Sequence, residues 1–164
     1  VEDAAARLQA AAAKAGLGGA GLLVERQVGK GTELIVTVRR DPIYGHVLIV
    51  GLGGVLTEIL RDIAVEVVPS TDARLELALK QLRGRALLDG FRGAAPVDMQ
   101  ALVAGLREIA RVAVQLLGTG EFGEIELNPV IARPDGLWIV DAVAYMAGGK
   151  SRQQPRTARI ESVL

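Results

Sequence analysis

The chain has 164 residues, half of them hydrophobic, with 19 basic and 19 acidic side chains that cancel, one histidine and no cysteine. That length suits one core with a small appendage. The missing cysteines exclude disulfide and thiolate chemistry, and the balanced charge leaves a nucleic-acid role without an electrostatic footprint. No apolar run approaches the roughly 20 residues that cross a bilayer, and nothing reads as a signal peptide. The expectation is a cytoplasmic chain with no membrane association.

The first residue is Val1, and Val1-Glu2-Asp3-Ala4-Ala5-Ala6-Arg7-Leu8 already reads as helix. A sequence that starts inside an element is expected to be a fragment, a processed product or a trimmed piece. The Ala-rich stretch 2–15 predicts a helix, with Ala4, Leu8, Ala11 and Ala15 near helical spacing and Gly16 as C-cap. Residues 21–28 and 33–40 read as strands of a hairpin around Gly29-Lys30-Gly31. Asp41-Pro42 breaks the second strand. His46-Val47-Leu48-Ile49-Val50 is a third strand, running into Gly51-Leu52-Gly53-Gly54. Leu56-Thr57-Glu58-Ile59-Leu60 fits strand or helix, and Val65-Glu66-Val67-Val68 reads as strand.

Pro69-Ser70-Thr71-Asp72 is a helix entry, with Ser70 or Thr71 as N-cap and an end near Gln81. Residues 83–97 are punctuated by Gly and Arg. Asp98 then caps a long amphipathic helix to about Leu117, with Leu102, Leu106, Ile109, Ala113 and Leu116 on one face. The last pair of strands, Glu124–Val130 and Gly136–Asp141, turns through Arg133-Pro134-Asp135-Gly136. The sum is an α+β two-layer sandwich, a mainly antiparallel sheet with helices packed on one face. Residues 1–146 form the domain, and 147–164 read as a polar, flexible tail.

Glu126 and Asn128 lie two apart, so on a strand they share a face, and Asp141 sits on the returning strand. Oxygen ligands from adjacent strands, without His or Cys, suit Mg²⁺, which binds at about 2.1 Å and keeps water and phosphate in its shell. The same residues also fit a solvated hairpin with scattered charges. Two features favour the metal: Asp141 stands among apolar neighbours, where a lone charge is costly, and Pro129 forbids an ordinary ladder bond after Asn128.

Gly51-Leu52-Gly53-Gly54 completes no phosphate-loop pattern, and close backbone approach explains it better. Gly148-Gly149-Lys150-Ser151 lacks the strand-to-helix setting of a P-loop. Arg92 between Gly90 and Gly93 fits a phosphate contact or a solvated loop equally well. His46 reads as a strand residue, since no Ser-His-Asp arrangement can be built around it.

Taken in order, these stretches resemble the ATP-grasp domain of NDP-forming acyl-CoA synthetases, relatives of the succinyl-CoA synthetase β subunit. The matching runs are Leu23–Val28 with Gly31–Val36, Arg39–Gly45, Gly51–Asp62, Gly90–Gly93, and Glu124–Pro129 with Asp141. The resemblance implies an ADP-forming acid–thiol ligase that makes acyl-CoA from acid, CoA and ATP through a phosphohistidine. It implies Asn128 and Asp141 as Mg²⁺ ligands with Glu126 beside them, and Glu25, Arg26, Gln27 and Val28 as a hinge whose backbone meets adenine. Glu33 matches an acidic position of the family, and Arg92 is a candidate phosphate contact.

The resemblance covers only the C-terminal subdomain of an ATP-grasp domain. The first jaw, the CoA-binding portion and the swinging histidine are absent. Glu126 replaces a more usual Asp, and His46 stands where the family usually has Pro. The chain alone is therefore expected to be inactive, with nucleotide, the missing jaw and a CoA-binding, phosphohistidine-bearing domain or subunit as partners. Homo-oligomerisation is left open. The rival reading is a degenerate, non-catalytic module for ligand sensing or subunit association, joined to an acetyltransferase. A carboxylate–amine ligase shares the metal geometry but gives no reason for the Gly51–Asp62 and Gly90–Gly93 stretches.

Overall fold

A computed structural model describes residues 1–54 and 62–148. The stretch Leu56–Leu60, most of the tail and Lys150-Ser151 lie outside the described residues. Strand β1 (Thr32–Asp41) pairs antiparallel with β2 (Gly45–Leu52), and β2 with β3 (Ile63–Val68). Helix α2 (Asp72–Lys80), a 3₁₀ turn (Arg85–Leu87) and helix α3 (Met99–Gly118) follow. The long strand β4 (Phe122–Arg133) then returns beside β1, and its far edge takes both β5 (Gly136–Ile139) and β6 (Ala142–Met146). The sheet order is β3-β2-β1-β4-β5, with β6 also on β4.

Period-two alternation decides which face is covered. Leu34, Val36 and Val38 of β1 point inward and are at most 1% exposed. Leu48, Val50 and Leu52 of β2 and Ala64 and Val68 of β3 join them. Leu75, Ala78 and Leu79 of α2 and Leu102, Leu106, Ala110, Ala113 and Leu117 of α3 close this core at helical spacing. The predicted face residues Ile109 and Leu116 sit at its margin. Both helices start where the sequence places them. Thr71 Oγ1 accepts from Arg74 N, and Asp98 Oδ1 accepts from Ala101 N at 3.0 Å.

Two acids face inward and are answered. Glu66 accepts from Arg74 Nε at 2.6 Å and from Ser70 Oγ at 3.0 Å. Asp62, only 9% exposed, accepts from the amides of Arg83 and Gly84, each at 2.8 Å. Its carboxylate thereby organises the loop after α2.

The N-terminal stretch behaves differently. Helix α1 (Glu2–Lys14) ends in a Schellman motif: Leu17 N donates to Ala12 O and Gly16 N to Ala13 O, with Gly16 at φ +78. None of its residues is buried, and the core contains nothing before Leu34. Residues 21–28 form no strand, contrary to their composition. The reason is topological. Both edges of β1 are taken, by β2 and by β4, so no ladder position remains for a hairpin partner.

Candidate functional site

The face of the sheet away from α2 and α3 carries the predicted acid–amide group. Ile125 and Leu127 are buried in the core, so Glu126, between them, projects to the opposite face, where it pairs with Thr37 of β1 and Val143 of β6. After Leu127 the register shifts: Leu34 pairs with Val130 and Val36 with Leu127, so β4 spends one extra residue against β1. This bulge switches the inward positions from 125 and 127 to 130 and 132, and leaves Asn128 exposed. The Asn128–Pro129 peptide is cis. Opposite it, the returning chain is interrupted between β5 and β6. Asn128 N donates to Asp141 O at 3.1 Å and Val140 N to Pro129 O at 3.1 Å.

Asn128 and Asp141 are thus locked side by side by a backbone hydrogen bond, with Glu126 two residues upstream. The sequence expectation needs two corrections here. Asp141 lies in the junction between two strands, not on a single returning strand, because β4 is bulged where it passes. It is also exposed, as are Ile139 and Val140, so burial does not force a partner on it. Its Oδ1 accepts from Ala142 N at 2.9 Å, and no described hydrogen bond engages Oδ2. Asn128 and Asp141 are open to solvent and Glu126 is half-buried, an all-oxygen donor set without His or Cys. Such a set fits Mg²⁺, which takes one or two protein oxygens and retains water.

Of Glu25, Arg26, Gln27 and Val28, Arg26 reaches the same side of the sheet. Arg26 lies over the Trp138 ring, 4.6 Å from its centroid, and Trp138 is opposite Ile131. Of the four, only Val28 is half-buried. Gly29 then passes against the Arg133 guanidinium. A Cβ on Gly31 would meet Ala132 O at 2.6 Å and Ile131 Cγ2 at 2.7 Å. No larger residue fits that crossing.

Glu33 is exposed on β1, opposite Ile131, and its carbonyl accepts from Gly53 N at 2.6 Å. A Cβ on Gly53 would lie 2.8 Å from Glu33 Cβ, so this glycine serves close approach. Arg92 is exposed at φ +52 between Gly90 and Gly93, and its guanidinium lies 5.3 Å from the Phe91 ring. A non-glycine residue in this region is held against a steric cost. No described hydrogen bond or ion pair ties Arg92 to Asn128, Asp141 or Glu126.

Residues 1–145 match the ATP-grasp domain family. The chain belongs to that family. It is 36% identical over 126 residues to a trans-feruloyl-CoA synthase of an unknown prokaryotic organism, covering 77% of this chain and 17% of that protein. It is 34% identical over 122 residues to the β subunit of ADP-forming acetate–CoA ligase I of Pyrococcus furiosus, covering 74% of this chain and 51% of the subunit. Among solved structures, the dinucleotide forming acetyl-coenzyme A synthetase 1 of Ca. Korarchaeum cryptofilum matches with a TM-score of 0.67 and 39% identity, over 73% of this chain and 55% of that one. That structure holds coenzyme A and Mg-AMPPCP, with its phosphohistidine segment pointing towards the nucleotide binding site. The chain spans about half the length of the Pyrococcus subunit it matches.

Within this ATP-grasp chain, sequence reasoning missed Trp138, the Arg133–Asp135 pair and Asp62. Arg133 donates to Asp135 through Nε at 2.8 Å and through Nη2 at 3.0 Å. The hydrogen bond from Arg133 holds the Asp135 carboxyl below its usual range, and the charges of Arg133 and Arg26 add to this. The signal available was spacing: Trp138 alternates with Leu137, which faces the core margin, and so must face the site.

Proposed function

We propose that this chain is the nucleotide-holding half of an ADP-forming acyl-CoA synthetase, an enzyme making acyl-CoA from acid, CoA and ATP through a phosphohistidine. The observation that carries the reading is the Asn128 N to Asp141 O hydrogen bond, which holds an amide and an acid side by side next to Glu126. Asn128 and Asp141 hold Mg²⁺, with Glu126 as an inner or outer ligand. The ion supplies charge neutralisation to the nucleotide phosphates when bound.

Each remaining role belongs to this chain's own groups. The backbone of Glu25–Val28 contacts adenine at the edge of the sheet, Glu33 lies beside the nucleotide, and Arg92 approaches phosphate from its loop. The ligand-bearing archaeal synthetase supports the reading, because it holds Mg-AMPPCP with its phosphohistidine segment pointing towards the nucleotide binding site. Residues 1–146 act as the C-terminal ATP-grasp subdomain, in the cytoplasm.

Phosphoryl transfer is largely positioning plus charge neutralisation, so one jaw cannot perform it. A first jaw and a CoA-binding, phosphohistidine-bearing portion complete the enzyme, on the same polypeptide or a partner. In the complete enzyme, Asp141→Ala is expected to lower acyl-CoA formation at least 100-fold in a coupled assay. Undiminished turnover in that variant, or full activity from these 164 residues alone, would overturn the proposal.

A further inference from the structure

The segment assigned to adenine has no ladder of its own, yet its backbone must be held in one place to present hydrogen-bonding groups. The structure shows how the Arg26 side chain of the segment is anchored. Arg26 sits 4.6 Å above the centroid of Trp138, the only tryptophan of the chain. Three residues later the chain is pressed against the β4–β5 hairpin. Gly29 passes Arg133, and a Cβ on Gly31 would strike Ala132 O and the Arg133 Cγ at 2.6 Å each. Arg133 itself is fixed by its double contact with Asp135. The indole Nε1 is buried without a hydrogen-bond partner, so stacking and packing, not a polar bond, hold the ring. Upstream of Arg26, Leu22, Leu23 and Val24 are exposed and α1 buries nothing.

We infer that Trp138 is a positioning residue: its ring captures the Arg26 side chain and so fixes the Glu25–Val28 backbone for the nucleotide base. The inference rests on the nucleotide reading above and deepens it. Arg26 is thereby an anchor whose side chain turns to the protein, while its backbone serves the ligand. Residues 26–31 travel with the β4–β5 hairpin. A cation stacked on an indole at an exposed site shifts an equilibrium about two- to fivefold.

Arg26 is also a trypsin site, which gives a test that needs no nucleotide. In the 164-residue chain, Trp138→Leu is expected to raise the rate of tryptic cleavage after Arg26 about two- to fivefold. Trp138→Phe, which keeps an aromatic face, should restore most of the protection. Cleavage after Arg111, on α3, reports opening of the body and should not change. Equal cleavage after Arg26 in wild type and Trp138→Leu, or a parallel rise after Arg111, overturns the inference.

The second arm measures Mg²⁺·ATP affinity of the complete enzyme by calorimetry. Trp138→Leu is expected to weaken binding about two- to fivefold, with rescue by Trp138→Phe. Wild-type binding that Trp138→Leu leaves unchanged sinks the positioning role alone. Absence of wild-type binding removes the nucleotide reading and this inference with it, whatever trypsin shows.

Discussion

Residues 1–24 and residues 32–146 obey different rules. The second region closes its own core, with Leu34, Val36, Leu102 and Leu106 all at most 1% exposed. The first buries no side chain of α1 and leaves Leu8, Leu17 and Leu23 about 60% exposed (59%, 62% and 60%). Its helix is well formed locally, capped by Gly16 and supplied with acids in the first turn and Lys14 in the last. The contrast separates two meanings of structure. Local rules suffice to write a helix, but only a completed sheet and two packed helices write a stable body.

The comparison is most easily broken by truncation of side chains. Leu34→Ala or Leu106→Ala is expected to cost about 2–5 kcal/mol in urea unfolding, because each leaves a cavity in a closed core. Leu23→Ala should change stability by less than about 0.5 kcal/mol. A large loss at Leu23 would show that the N-terminal stretch is packed after all.

Glycines sharpen the same boundary. Gly53→Ala places a Cβ 2.8 Å from Glu33 Cβ and 3.0 Å from its carbonyl carbon, whereas an added Cβ on Gly19 meets nothing within 4 Å. The first change should cost about 1–3 kcal/mol and the second close to nothing, measured in the same unfolding series. Equal costs would contradict the close approach of β1 to the end of β2.

Much of the body was legible because its signals are local. Leu34, Val36 and Val38 alternate as a half-buried strand must, and Thr71 and Asp98 stand where helices need an acceptor. The failures were non-local. Residues 21–28 have strand composition, but whether they pair depends on β4, about a hundred residues away, filling the second edge of β1. Trp138-Ile139-Val140 looks like the interior of a strand. Yet it lies at the short outer edge of the sheet, where Ile139 and Val140 are half exposed at 51% and 52%. Residue type and spacing grouped Asn128, Glu126 and Asp141, and the backbone hydrogen bond between Asn128 and Asp141 makes two of them neighbours. The bulge that aims them was hinted at only by Pro129.

The smallest expected effect concerns acid. Hydrogen bonds from the amides of Tyr44 and Ile43 hold Asp41 below its ordinary 3.8. Lys80 and Arg111 pull Glu76 and Glu108 below 4.5, and Arg133 pulls Asp135 below 3.8. A carboxyl depressed in the folded state contributes stability above its unfolded pKa and loses it as pH falls through the folded value. All four are surface groups, so each contribution is small. Thermal melts should therefore be flat between about pH 7 and 5 and decline only below about pH 4. A fall in melting temperature above pH 5 would point to some other group.

The central claim is that Asn128 and Asp141, locked across the β4 bulge, build a magnesium–nucleotide site. Calorimetric titration of Mg²⁺·ATP into the complete enzyme, with and without Asp141→Ala, tests it most directly. The account predicts Mg²⁺-dependent binding that the substitution weakens at least tenfold. Binding that is indifferent to Mg²⁺, or equal in the two proteins, would contradict it.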